Sequence, residues 1–337
     1  MKYLKYGSSG LYLSAYGLGA MTFGSKNSWK LGGISQEKTD EMVKKAYDYG
    51  INLFDTADAY DEGESEVSLG KAIKPFRDEV HLATKVRAKT GKGINQVGLS
   101  RHHIQESIKQ SLERLQTDHV EIYQMHSFDY HVPLMETAET MQHLVERGEI
   151  DYPGFSNLQS WQMALYNSIA RENHFEPYHS AQMNYSLLNR DIEQEIIPYM
   201  NHDHLTLLAW SPLHGGVLTG KYGKDLSPKE GTRFGNRGVF PPFEEEKAKR
   251  VLEAMEVVSK EQQCSLGNVA LSWVVSKKGM VIVGARTVEQ FEENMKSVDV
   301  NLTKEQMEHL DKASEDRELY PGWMIKRQDR GRDFEVI

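Results

Sequence analysis

The chain has 337 residues, a formal net charge of −9 and one cysteine. A chain of this length buries a large core, as two average domains or as one α/β barrel. The acidic balance, the lack of a basic block and the lack of any apolar run of membrane-spanning length argue against nucleic-acid and membrane partners.

The N-terminus, Met1-Lys-Tyr-Leu-Lys-Tyr6, carries charge without an apolar h-region, so it does not read as a signal peptide. Residues 1–13 alternate weakly around Gly7-Ser-Ser-Gly10 and predict a β-hairpin. Ser14–Met21 is the first candidate barrel strand, followed by a Gly-rich loop over Thr22–Gly33 that carries Phe23 and Trp29. Gln36–Tyr49 has helical periodicity. From there strand and helix alternate. Ile51–Phe54 precedes helix Glu64–Ile73; Val80–Val86 precedes a polar Gly/Lys loop, Ala88–Gly98, and helix Arg101–Leu115. Val120–Met125 leads to helix Met135–Arg147, Tyr152–Ser156 to helix Ser160–Arg171, and Ala181–Tyr185 to helix Ile192–Met200. Leu205–Ala209 leads to a long loop and helix Glu244–Gln262. Helix Gly267–Ser276, strand Met280–Val283 and helices Val288–Met295 and Lys304–Ala313 close the series.

Eight strands, each followed by helix, imply a parallel sheet closed into a (β/α)8 TIM barrel, a single α/β domain spanning residues 1–337. No G-x-G-x-x-G fingerprint follows an early strand, so an open dinucleotide-binding sheet lacks its phosphate loop. Pro153 removes a ladder donor and predicts a short or displaced strand around it. Leu218–Phe243 is too long for a plain connector and is expected to be functional or mobile. The tail from Arg317 to Ile337 is either frayed or a flap over a pocket. Cys264 is expected in a helical stretch as an inert, partly buried thiol; a lone cysteine excludes an internal disulfide and fits the cytoplasm.

The C-terminal strand ends of such a barrel are where chemistry is done. Gly50-Ile-Asn-Leu-Phe-Asp-Thr-Ala-Asp-Ala-Tyr60 places Asp55 at one strand end and Tyr60 in the loop after it. The next two strands end near Lys85 and on His126. Singly, each of these has an ordinary structural use. Together, at consecutive strand ends, they resemble the catalytic tetrad of the aldo-keto reductases. Tyr3–Phe23, Gly154-Phe-Ser-Asn157, Gln182-Met-Asn-Tyr185, Trp210-Ser-Pro-Leu213 and Gly284-Ala-Arg-Thr287 with Gln290 and Asn294 resemble further motifs of that family, so the resemblance covers nearly the whole chain.

The resemblance implies NADPH-dependent reduction of aldehydes and ketones. Tyr60 would be the acid, its pKa lowered by Lys85; Asp55 would orient Lys85, and His126 would hydrogen-bond the substrate carbonyl. Ser156, Asn157 and Gln182 would hold the nicotinamide carboxamide and Trp210 would stack on its ring. Ser211, Leu213 and Lys221 would cover the pyrophosphate. Gly284, Arg286, Gln290 and Asn294, at a helix N-terminus, would grip the 2′-phosphate. Met21, Phe23, Trp29, Ser127, Phe128 and Trp323 are candidates for an apolar substrate pocket. No metal is expected. Monomer and homodimer both fit. A second reading is a cofactor-binding redox sensor on the same fold, like the potassium channel β subunits. A third, a barrel acting on phosphorylated sugars, leaves Tyr60 and Lys85 unexplained.

Overall fold

The computed structural model describes residues 1–26, 33–223, 225–227 and 240–328. A short antiparallel hairpin, β1 (Tyr3–Lys5) and β2 (Tyr12–Ser14), precedes the barrel. The barrel strands are β3 (Tyr16–Gly19), β4 (Leu53–Asp55), β5 (His81–Val86), β6 (Val120–Met125), β7 (Ile150–Ser156), β8 (Ser180–Asn184), β9 (Thr206–Trp210) and β10 (Met280–Val283). All pair in parallel, and β10 closes onto both β9 and β3.

Helices α1 (Gln36–Asp48), α2 (Glu64–Ile73), α3 (Arg101–Leu115), α4 (Leu134–Glu146), α5 (Ser160–Asn173) and α6 (Ile196–His202) cover one arc of the barrel. Helices α7 (Glu245–Gln262), α8 (Leu266–Ser276), α9 (Val288–Met295) and α10 (Lys304–Ala313) follow, and α11 (Gly322–Gln328) lies in the tail. Ser35, Ser100, Ser265, Thr287 and Thr303 each accept from an amide of the first turn, which is why these helices start where the sequence places them.

Two cores result. Apolar faces of the helices pack on the outside of the sheet. Inside the barrel, Leu53, Ala83, Ile122, Leu208, Met280 and Ile282 form a smaller cluster, which Tyr6 and Leu13 of the hairpin segment join. Tyr6 is fully buried there and its hydroxyl donates to Ser180 Oγ at 2.8 Å.

Three expectations are corrected. Pro153 does not shorten its strand: β7 has seven residues, and Pro153 is paired with Tyr123. The edge of Pro153 that lacks an N–H is the one whose carbonyl accepts from His179 N at 3.2 Å, ahead of the β8 ladder, so no ladder bond is lost. The helix expected over 192–200 is a single turn, Asp191–Glu193, followed by α6. Glu193 is held by Tyr185 and Arg190, and Glu195, hydrogen-bonded by Ser160, has a non-helical backbone. Cys264 lies in the break between α7 and α8 rather than in a helix; burial raises its thiol pKa.

At the N-terminal end of the barrel, Glu121 accepts from Arg77 Nη1 at 3.0 Å and from the Leu82 amide at 2.6 Å. Burial works to raise its pKa, but His81, Arg77 and the Leu82 amide prevail and the net shift is downward. A depressed carboxylate stabilises the fold fully above the unfolded value of 4.5, and that contribution is lost as pH falls through the lower folded value. Glu121→Gln should therefore cost about 2–3 kcal/mol in urea denaturation at neutral pH. The difference from wild type should vanish on acidification; a difference that persists in acid would contradict the assignment.

Candidate active site

Side-chain alternation decides which groups meet at the barrel mouth. Leu53 and Asp55 share one face of β4, Ala83 and Lys85 one face of β5, and Ile122 and Gln124 one face of β6. The first of each pair lies in the interior apolar cluster, so the second stands above it, toward the C-terminal rim. Gln182 reaches the same layer from β8.

Lys85 is completely buried. Its ammonium is 2.7 Å from Asp55 Oδ1 and donates to the Thr56 carbonyl at 2.7 Å; the Tyr60 hydroxyl is 3.4 Å away. These are three acceptors for three N–H donors. The other Asp55 oxygen accepts from Gln182 Nε2 at 2.8 Å and Gln124 Nε2 at 3.3 Å. Burial pulls the lysine pKa down, but the Asp55 charge and the Tyr60 contact outweigh it. The net shift is upward and Lys85 remains charged.

Tyr60 opens a short 3-10 turn, Tyr60–Gly63. Its pKa is raised, contrary to the expectation from sequence: burial raises it most, Lys85 lowers it by less, and Asp55 raises it again. The ammonium and carboxylate act on the phenol in opposite directions, and desolvation is the largest effect. Tyr60 therefore holds its proton through the neutral range.

His126 follows β6 directly, its amide bonded to the Val86 carbonyl at 2.9 Å. Its ring meets that of Tyr60 edge to face, 5.8 Å between centroids. Burial, then the charges of Lys85 and Arg87, lower its pKa to about 3, so the ring is neutral at physiological pH. Its Nδ1 is buried without a hydrogen-bond partner.

Asp55, Tyr60 and His126 line a cavity of about 700 Å³. Met21, Ser156, Asn157, Gln182, Trp210, Ser211, Leu213, Lys221, Gly284, Arg286, Gln290 and Asn294 line it too, so strand closure brings together residues from both ends of the chain. Asn157 donates to the His126 carbonyl at 3.0 Å and accepts from Trp210 Nε1 at 3.0 Å, which ties the indole to the strand end. Gly215 and Gly216 have φ of 62° and 91°; a Cβ on Gly216 would fall 2.3 Å from Lys221 Nζ. The glycine thus lets the Lys221 ammonium approach the backbone on the cavity wall. On α9, Thr287 caps the helix, and the Arg286 amide donates to Gln290 Oε1 at 3.1 Å. A flat apolar indole, paired amides, a glycine cradle beside a lysine and an arginine at a helix N-terminus suit a nicotinamide dinucleotide.

The profile of the aldo/keto reductase family matches residues 15–315. The chain belongs to this family. It is 31% identical to versiconal hemiacetal acetate reductase of Aspergillus parasiticus, over 96% of this chain and 99% of that one. It is 35% identical to an uncharacterized oxidoreductase, YrpG, of Bacillus subtilis, over 96% and 97%. It is 30% identical to a putative aryl-alcohol dehydrogenase of Schizosaccharomyces pombe, over 90% and 93%. These similarities support an oxidoreductase acting on carbonyl compounds.

In this aldo/keto reductase several expected pocket residues lie elsewhere. Phe23 is buried in the outer core, bridged to Ile34, and is not on the cavity wall. Phe128 packs against Tyr130, Trp161 and Tyr166 instead. Ser127 and Trp323 are also off the wall, Trp323 being half-exposed on α11 beside Tyr320. Trp29 lies outside the described residues.

Sequence reasoning missed Gln124, the second amide on Asp55, although its parity with Ile122 marks it as inward-facing. It also missed Thr219, Phe240, Leu271, Glu289 and Glu293 on the wall, whose places depend on loop conformation and strand closure. Asp58 was missed as well: it is buried, and its carboxyl is pushed well above the usual carboxylate range by desolvation and by Glu66.

The depressed His126 pKa is directly measurable. Its Cε1–H chemical shift in NMR should stay flat from pH 5 to pH 8, roughly the window in which an unperturbed histidine titrates. A midpoint near the ordinary 6.5 would show that the ring is solvated and not held neutral.

Proposed function

We propose that the protein reduces aldehydes and ketones to alcohols with NADPH, in the cytoplasm, and that Tyr60 is the general acid. The observation carrying this reading is the buried Lys85–Asp55 pair, which places an ammonium 3.4 Å from a protonated phenol on the wall of the cavity. The bound nicotinamide would supply the hydride. As negative charge grows on the substrate oxygen, the Tyr60 O–H bond breaks and its proton moves to that oxygen. The phenolate left behind lies next to the Lys85 ammonium, which stabilises it more strongly than it stabilised the neutral phenol. Asp55, gripped by Gln124 and Gln182, keeps that ammonium in place. His126, neutral, donates one N–H to the substrate oxygen and fixes its direction.

Ser156, Asn157 and Gln182 would hold the carboxamide and Trp210 would stack on the ring. Arg286, beside the α9 N-terminus, is the residue we assign to the 2′-phosphate and to the preference for NADPH. The apolar wall, which includes Met21, Trp210 and Phe240, suits substrates with an apolar or aromatic body. That one relative is named as an aryl-alcohol dehydrogenase supports the same class.

Oxidation of NADPH, followed by absorbance with a panel of aromatic and aliphatic aldehydes, tests the acid. Tyr60→Phe should lose roughly a hundredfold or more in kcat while still binding NADPH. Undiminished turnover in that variant would remove Tyr60 from the role. Arg286→Ala should raise KM for NADPH roughly tenfold, the worth of a charged hydrogen bond, and leave NADH little affected. Equal losses with both cofactors would remove Arg286 from phosphate recognition.

A further inference from the structure

Arg87 follows β5 directly, two positions beyond Lys85, and the chemistry above leaves it unused. Its backbone φ is 134°, a region that residues with a side chain rarely adopt. Its Nε is sealed from solvent and has no hydrogen-bond partner. Among the described residues no carboxylate pairs with its guanidinium. Asp129, the one carboxylate on the loop between β6 and α4, is occupied: its oxygens accept from the Leu99 and His131 amides at 2.8 and 2.9 Å. Arg87 is half-buried, and a ligand anion would pair with the solvent-facing part of its guanidinium rather than with the sealed Nε.

Charge along the chain gives a second, independent observation. Residues 80–105 contain no Asp or Glu, although the protein as a whole carries −9. Within that stretch Lys85 is paired with Asp55 and Arg101 with Glu139. Arg87, Lys89 and Lys92 remain, and both lysines are exposed. Three cations without an ion-pair partner among the described residues thus fall between residues 87 and 92, just past β5 in the chain. Arg87 lies beside the tetrad end of the site, just outside the cavity wall: the carbonyl of Val86, the residue before it, accepts from the His126 amide at 2.9 Å, and its charge helps hold that ring neutral. The cations assigned to the cofactor phosphates, Lys221 and Arg286, come from the segments around β9 and β10 instead.

We infer that Arg87 determines specificity by pairing with a carboxylate carried by the carbonyl substrate, and that Lys89 and Lys92 draw such substrates in. A guanidinium presents a planar fork that matches a carboxylate with two parallel hydrogen bonds. Exposed lysines act at longer range and raise the encounter rate of an anion. This rests on the reductase reading, and its preferred substrates are aldehydes with an apolar body and an anionic far end.

The experiment compares kcat/KM for para-carboxybenzaldehyde and its neutral methyl ester. Calorimetric binding of benzoate and benzamide to the NADP-loaded protein provides a readout that needs no turnover. In wild type the carboxylate should be preferred. Arg87→Gln should reduce the carboxylate-to-ester ratio by about tenfold or more and weaken benzoate more than benzamide. The wild-type rate with the carboxylate should fall as ionic strength rises, and a Lys89→Gln/Lys92→Gln variant should flatten that dependence. An unchanged ratio and unchanged benzoate binding in Arg87→Gln would overturn the proposal while leaving the reductase reading intact. Arg87-dependent benzoate binding without reduction of either aldehyde would do the reverse. Should Arg87→Gln fail to fold, Arg87→Lys decides: a charge without the planar fork should lower the ratio several-fold, and an unchanged ratio overturns the assignment.

Discussion

A fully buried ammonium must be paired, and this site is arranged around that requirement. Lys85 is neutralised by Asp55, from the neighbouring strand, and bonded by a backbone carbonyl just beyond it. The carboxylate is held in turn by amides from β6 and β8, so four barrel strands fix one charge pair. Burial of the same region raises the Tyr60 pKa. Lysine and aspartate act on the phenol with opposite sign, and burial decides the balance. The phenol thus keeps its proton through the neutral range, as the proposed acid role requires.

Stability and chemistry are separated along the same strands. Beta strand β5 shows this most directly: Ala83 lies in the interior core, Lys85 in the charge pair, and Arg87 just past the strand end at the rim. Below, Tyr6 of the hairpin segment and the Arg77–Glu121 pair secure the N-terminal end of the barrel. Above, loops from several strands build the cavity wall. Gly19 belongs to both halves, because a Cβ there would meet Ile282 at 2.8 Å and raise the cavity floor.

Local chemistry carries most of the element pattern. The helices over 101–115, 288–295 and 304–313 coincide with their expected bounds, because capping residues and apolar periodicity act within a few residues of each other. Where tertiary contacts intervene, local reading fails. Glu193 and Glu195 are drawn off by Tyr185, Arg190 and Ser160, and the helix expected there breaks. Pro153 sits in an interior strand without loss because its bare edge faces a place where no ladder bond would form.

The sequence by itself determined the barrel, the order of its strands and the presence of Asp55, Tyr60, Lys85 and His126 at consecutive strand ends. Strand alternation is a local property, and it sends Asp55 and Lys85 to one face wherever the strands close, while Tyr60 is carried by the turn beyond β4. Only the tertiary structure decided that Phe23 and Phe128 leave the cavity, that Gln124 shares Asp55 with Gln182, and that Arg286 lines the same space as Tyr60. It alone set the directions of the pKa shifts at Tyr60 and His126. Burial and the distance between charges arise from segments far apart in the chain, and no local pattern encodes them.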